Sequence, residues 1–176
     1  MTTEQSISQA IKLYEFAQPK AELIRHNENM TYKITDFDKS YVLRVHKPVE
    51  GFSPDLYNTD CSCCELIQSE LDIISVLKHG TVLPMQAPVC GLNGALVQTL
   101  SDGTHVTLLR WVEGQTVENA GITTEILTNS GKLMASLHMF FMQKAVQDNR
   151  YTRYNYDQTI LPRIAERIES AARTNQ

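Results

Sequence analysis

The 176-residue chain is 42% hydrophobic and 20% charged, and its 16 basic and 20 acidic side chains leave a net charge of −4. That length suits one domain, or a small domain with part of another, and the apolar content supports a buried core rather than disorder. Eight Gly and six Pro exclude collagen-like and low-complexity chains, and the mild acidity offers no basic stripe to a nucleic acid.

The first residues, Met1-Thr2-Thr3-Glu4-Gln5, lack the basic region and apolar core of a secretory signal. No stretch approaches the ~20 apolar residues that span a bilayer; the most apolar, residues 133–142, is interrupted by Ser136 and His138. The expectation is a cytoplasmic protein with no nucleic-acid or membrane partner. Residues 5–17 have a helical period in Ile7, Ala10, Ile11 and Tyr14, with Ser6 as the cap and Pro19 as the stop. Strand patterns follow at 21–26, 30–35 and 41–46, with residues 36–40 as the tight turn before the third. Residues 48–60 read as a loop.

A helix is expected over residues 62–78, closed by His79-Gly80 with the glycine at its C-terminal cap. Of the four cysteines, three sit in Cys61-Ser62-Cys63-Cys64 at its start, too close together for an ordinary disulfide framework and without the separated pairs of a zinc site. They read as reduced thiols, with a metal or redox role as the competing reading. Pro84 and Pro88 introduce a further sheet segment, and Gly91-Leu92-Asn93-Gly94 and Ser101-Asp102-Gly103 are turns around strands at 95–100 and 104–112. After the polar joint Glu113-Gly114-Gln115 the pattern is helical. Residues 123–142 carry Ile126, Leu127, Leu133, Met134, Leu137 and Phe141 on one face, and residues 158–172 carry Ile160, Leu161, Ile164 and Ile168.

The fold class expected is therefore α+β: a five-stranded antiparallel sheet with one inserted helix, then helices. The boundary falls after residue 112, dividing the chain into 1–112 and 113–176. Three strands, a helix, two strands, a linker and helices is the order of a protein-kinase-like N-terminal lobe and the start of its second lobe.

The residues that carry a more specific likeness are Asn27-Glu28-Asn29-Met30-Thr31-Tyr32-Lys33-Ile34, Tyr41-Val42-Leu43-Arg44-Val45, and Glu70-Leu71 on the helix. Further along come the proline-spaced 84–88, Leu108-Leu109-Arg110-Trp111-Val112-Glu113-Gly114, and Leu133-Met134-Ala135-Ser136-Leu137-His138. Together, over about residues 20–140, they resemble the aminoglycoside phosphotransferase superfamily, which includes homoserine kinase and choline kinase.

The resemblance implies ATP with Mg²⁺ as cofactors and a hydroxyl-bearing small molecule as acceptor. Phosphoryl transfer rests on positioning and on neutralising phosphate charge, so a cation on a rigid strand must reach the phosphates while a carboxylate on a neighbouring helix holds it. Arg44 is that cation, in the place where many kinases carry Lys, and its planar fork stays charged when partly buried. Glu70 is its expected partner, with Glu65 as fallback. The competing reading makes Arg44 an edge-strand residue and Glu70 a solvated one.

Asn29, in the turn that would cover the phosphates, is a candidate nucleotide contact through its amide, or an Asn that tolerates turn dihedrals. Leu109, Arg110, Trp111 and Val112 match the inter-lobe hinge that binds adenine through backbone groups, although Trp111 serves equally well as inter-lobe core. His138 is read as a packing residue.

The resemblance also implies a His-x-Asp-x-x-x-x-Asn catalytic loop and a later metal-binding Asp. The five histidines, His26, His46, His79, His105 and His138, are followed two positions on by Glu28, Pro48, Thr81, Thr107 and Phe140, never by Asp. Asp36-Phe37-Asp38 mimics the metal motif but falls in a hairpin turn. No catalytic or metal-ligating residue is therefore assigned. The unpartnered apolar stripe of the last helix suggests a missing lobe or a dimer contact. The expectation is the ATP-binding portion of a small-molecule kinase with its second lobe incomplete. The alternative is a non-catalytic module that binds nucleotide or a partner and forms a homodimer through that helix.

Overall fold

Residues 1–49, 61–143 and 160–174 are described in the computed structural model of the chain. Their order is α1 (Thr3–Ile11), β1 (Lys20–His26), β2 (Met30–Asp36), β3 (Lys39–Val45), α2 (Cys63–Gly80), β4 (Pro88–Val89), β5 (Val97–Thr99), β6 (His105–Arg110), α3 (Val117–Ala120), α4 (Thr124–Gln143) and α5 (Ile160–Thr174). Most of the expected loop over 48–60 lies outside the described residues.

All strand pairings are antiparallel. The sheet runs β1-β2-β3-β6-β4, and β5 also pairs with β6. The outer edge of β6 is shared, with β5 facing Thr107, Val106 and His105 while β4 faces Leu109 and Leu108. The count is thus six strands rather than the expected five. The additional one, β4, is two residues long and lies on an edge, the place where Pro88, with no N–H to donate, is tolerated.

The strand period of two assigns the side chains to two layers. Tyr32, Ile34, Leu43, Val45, Val106 and Leu108 face α1 and close around Ala10 and Tyr14. The opposite face carries Leu109, packed against Ile67 and Leu71 of α2. Each such fully buried aliphatic side chain stabilises the fold by about 1.5–3 kcal/mol. Tyr14 donates its hydroxyl to the Val106 carbonyl across 3.4 Å, and burial pushes its pKa up.

Several element ends differ from expectation. Thr2, not Ser6, caps α1, in a reciprocal box with Gln5. Ser6 is buried and donates its hydroxyl to the Thr2 carbonyl (3.0 Å). The helix stops at Ile11 rather than 17, because Tyr14 leaves the helical path to enter the core and the Leu13 carbonyl accepts the Leu92 N–H (2.9 Å). The β2–β3 turn shrinks to Phe37 and Asp38, with Phe37 in the left-handed region at φ 54°. Gly80 is the last residue of α2 rather than its cap, the cap being an extended Thr81. The lack of a side chain at Gly80 instead admits the ring of Phe140 from α4.

The largest departure concerns α4. Its expected apolar face does not close on the sheet: Leu127, Leu133, Met134 and Phe141 are exposed, and Phe140 is the side chain that is buried. The short α3 is an element the sequence pattern does not reveal. Among the described residues no helix is long and apolar enough to cross a membrane.

Candidate functional site

Arg44 lies near the C-terminal end of β3, opposite Thr31 of β2 and Thr107 of β6. Its neighbours Leu43 and Val45 are buried on the α1 side, so alternation turns Arg44 toward α2. There Nη1 donates to Glu70 Oε1 across 3.0 Å. The two side chains are 31% and 51% exposed, so the pair is open to solvent and contributes no more than about 1 kcal/mol to stability. Glu70 is the only hydrogen-bond partner of the guanidinium among the described residues, which leaves most of a five-donor fork for an anion.

Glu65, the fallback partner, is engaged elsewhere. Its Oε2 accepts from the Ser62 N–H and hydroxyl (2.7 Å each), and the Ser62 hydroxyl accepts the Glu65 N–H (3.3 Å). This reciprocal box caps α2 and holds the Glu65 carboxyl below its ordinary pKa. The choice between the two glutamates is therefore made by helix capping.

His46, two positions beyond Arg44, belongs to the same face but was not singled out in the sequence. Its Nε2 lies 3.1 Å from the hydroxyl of the fully buried Thr107, and its backbone N–H donates to the His105 carbonyl (2.9 Å). Burial first, then the charges of Arg44 and His105, push its pKa down to about 4, so it is neutral at pH 7. A neutral imidazole beside Arg44 leaves that cation unopposed toward an anion.

The turn before β2 is tied down by backbone. Asn27 N–H donates to the Asn29 carbonyl (3.2 Å), Val49 N–H donates to the Asn27 carbonyl (2.8 Å), and His26 Nε2 lies 3.2 Å from the Lys47 carbonyl. Asn29 is half-buried at the end of this turn, next to β2.

At the opposite end of the sheet, Leu109 is buried and laddered to Val42 and Pro88. The Arg110 N–H donates to the Ala87 carbonyl (2.8 Å) and the Trp111 N–H to the Ser40 carbonyl (3.0 Å). Of the four hinge candidates, Val112 is the one whose N–H has no backbone partner among the described residues, and it is exposed. Lys33, a further residue not singled out in the sequence, places its ammonium 4.4 Å from the centroid of the Trp111 ring.

Asp36 of the Asp36-Phe37-Asp38 motif has a structural task. Its carboxylate accepts the N–H of Ala17 (3.2 and 3.3 Å) and of Gln18 (2.6 Å), anchoring the segment after α1. Among the described residues no three His, Cys, Asp or Glu side chains converge to hold a metal ion, so no step is assigned to a metal here. Cys63 and Cys64 stand in the first turn of α2, and burial and its neighbour Cys64 raise the pKa of Cys63, which disfavours its thiolate. His138 is exposed rather than packed.

No protein-family profile and no curated protein matches the chain. Solved structures do. A microcompartment-associated aminopropanol kinase is 25% identical, with a TM-score of 0.64 over 87% of this chain and 45% of that one. The amicoumacin kinase hAmiN, solved in complex with AMP-PNP, Ca²⁺ and Ami, is 20% identical, with a TM-score of 0.69 over 89% of this chain and 45% of that one. The chain spans about half the length of either, its matched part covering 45% of each.

Proposed function

We propose that this chain, whose fold is similar to that of solved small-molecule kinases, is the nucleotide-binding portion of a small-molecule kinase that moves the ATP γ-phosphate to a hydroxyl acceptor. The observation that carries this reading is the Arg44–Glu70 pair, 3.0 Å apart on a strand and a helix that face each other. Glu70 fixes one edge of the guanidinium, and the remaining N–H donors meet the α- and β-phosphates, the planar fork pairing with two phosphate oxygens at once. The Val112 N–H, with no backbone partner among the described residues, meets the base, and Asn29 and its turn border the phosphates. Mg²⁺ bound with the nucleotide supplies charge neutralisation. We assign residues 1–112 to the nucleotide-binding lobe and 113–176 to the start of the second, and place the acceptor site, the base that takes the hydroxyl proton and the metal ligands outside these 176 residues. The reading supports a cytoplasmic protein, where ATP is available and where Cys63, Cys64 and Cys90 remain thiols.

The test is calorimetric titration of the chain with Mg-ATP. Arg44→Ala is expected to weaken binding about tenfold or more, the loss of a charge-assisted contact to phosphate, and Glu70→Gln by a smaller factor. Wild-type affinity in folded Arg44→Ala overturns the assignment. The exposed apolar side chains of α4 and α5 favour a second reading, a non-catalytic module that forms a homodimer. Its signature is a concentration-dependent dimer in light scattering with no response to ATP.

A further inference from the structure

Lys33 sits in β2 opposite Val42 of β3 and Glu22 of β1. Thr31, two residues before it, is opposite Arg44, so alternation sets Lys33 on the Arg44 face, toward the hinge. From there it spans to the ring of Trp111 at 4.4 Å. The main chain of Trp111 is pinned to β3 through the Ser40 carbonyl (3.0 Å), leaving the indole as the movable part.

The Trp111 indole N–H is buried and without a hydrogen-bond partner, the only side-chain nitrogen or oxygen so placed among the described residues. A buried donor with no acceptor disfavours the conformation that holds it. The ammonium over the ring face favours that conformation, because the ring's quadrupole attracts a cation. Two opposed effects therefore meet in one side chain, and Lys33 supplies the favourable one.

Building on the nucleotide-binding reading, we propose that Lys33 is a positioning residue for the base end of the site. Through its contact with Trp111 it holds the indole as the apolar wall on which the nucleotide base packs. Lys33 acts on the base through Trp111, whereas Arg44 acts on the phosphates directly. Lys33 therefore controls affinity for ligands that carry a base and not for phosphate chains without one.

The experiment compares wild type, Lys33→Met and Lys33→Arg in calorimetric titrations with Mg-ATP and with Mg-tripolyphosphate, which has the phosphates but no base. The emission of the chain's single tryptophan is recorded alongside. Lys33→Met is expected to weaken Mg-ATP about threefold to fivefold, leave tripolyphosphate within about twofold, and shift the tryptophan emission to the red. Lys33→Arg, whose guanidinium also stacks on indole, restores both ATP affinity and emission. Equal weakening of both ligands by Lys33→Met, no weakening of either, or failure of Lys33→Arg to rescue overturns this inference while leaving nucleotide binding intact. A wild-type chain that binds neither ligand overturns the nucleotide reading and this inference together.

Discussion

Phe37 is the one non-glycine residue with positive φ among the described residues, at 54°, and its side chain is 66% exposed. Little packing is at stake, whereas the left-handed conformation costs a residue with a Cβ about 1–2 kcal/mol. Phe37→Gly relieves that strain and adds about 0.5–1 kcal/mol of chain entropy cost. The expected result is a small net gain, about 0.5 kcal/mol, read as a higher urea midpoint with an unchanged m-value. His46 makes the opposite kind of prediction. Its folded pKa of about 4 lies below the ordinary 6.5, so between those values the unfolded chain binds the additional proton. Stability contributed by neutral His46 is complete above pH 6.5, declines as the pH falls toward about 4, and declines no further below it. The full difference is about 3 kcal/mol. In urea titrations across that window, His46→Gln should flatten the slope. Neither feature is legible in the sequence. A hairpin turn can be recognised from Asp36-Phe37-Asp38-Lys39-Ser40, but which residue takes the strained dihedral depends on strand register. The burial of His46 depends on Thr107, a strand that arrives much later in the chain.

Among the elements, α2 carries Glu70, and its first turn is held by the Ser62–Glu65 box. Ser62→Ala removes the acceptor of the Glu65 N–H and the hydroxyl donor to Glu65 Oε2. The expected loss is about 1 kcal/mol, measured as a lower thermal or urea midpoint, with the helical circular dichroism of the native state retained. The helix itself is legible in the sequence because Leu66, Ile67, Leu71 and Leu77 repeat at helical spacing and Ser62 precedes them. The end of α1 is not. Tyr14 falls four positions after Ala10, so it fits a helical stripe, and only the sheet shows that the same ring is needed in the core after the chain has turned. The two-residue β4 is too short to have a period, so the sequence shows a sheet segment near Pro88 but not its extent or that it pairs with β6.

At the scale of the whole chain, apolar surface is distributed unevenly. β2, β3, β6 and the two flanking helices bury most of their aliphatic residues, while β1 exposes Leu23 and Ile24 and α4 and α5 expose Leu127, Met134, Met142, Leu161 and Ile168. Exposed apolar side chains in this number mark an interaction face or an aggregation liability. The chain is therefore expected to bind a hydrophobic dye such as ANS and to sediment with concentration-dependent mass. Leu161→Ser with Ile168→Ser should lower both signals without changing the unfolding midpoint, since these side chains are exposed.

By itself the sequence determined most of the element order, and it placed Arg44 on a strand with Glu70 and Glu65 as candidate partners on the next helix. Strand and helix periods are local properties, and a cation central to a strand pattern and a carboxylate on the next helix face are visible in one dimension. The tertiary structure decided which glutamate was available, by giving Glu65 to the cap of α2. It also decided which hinge N–H remained open, by pairing Arg110 with Ala87 and Trp111 with Ser40, and it brought Lys33 to Trp111. These outcomes depend on sheet register and on the direction each side chain takes from it. Register joins residues far apart in the chain, so no local pattern encodes them.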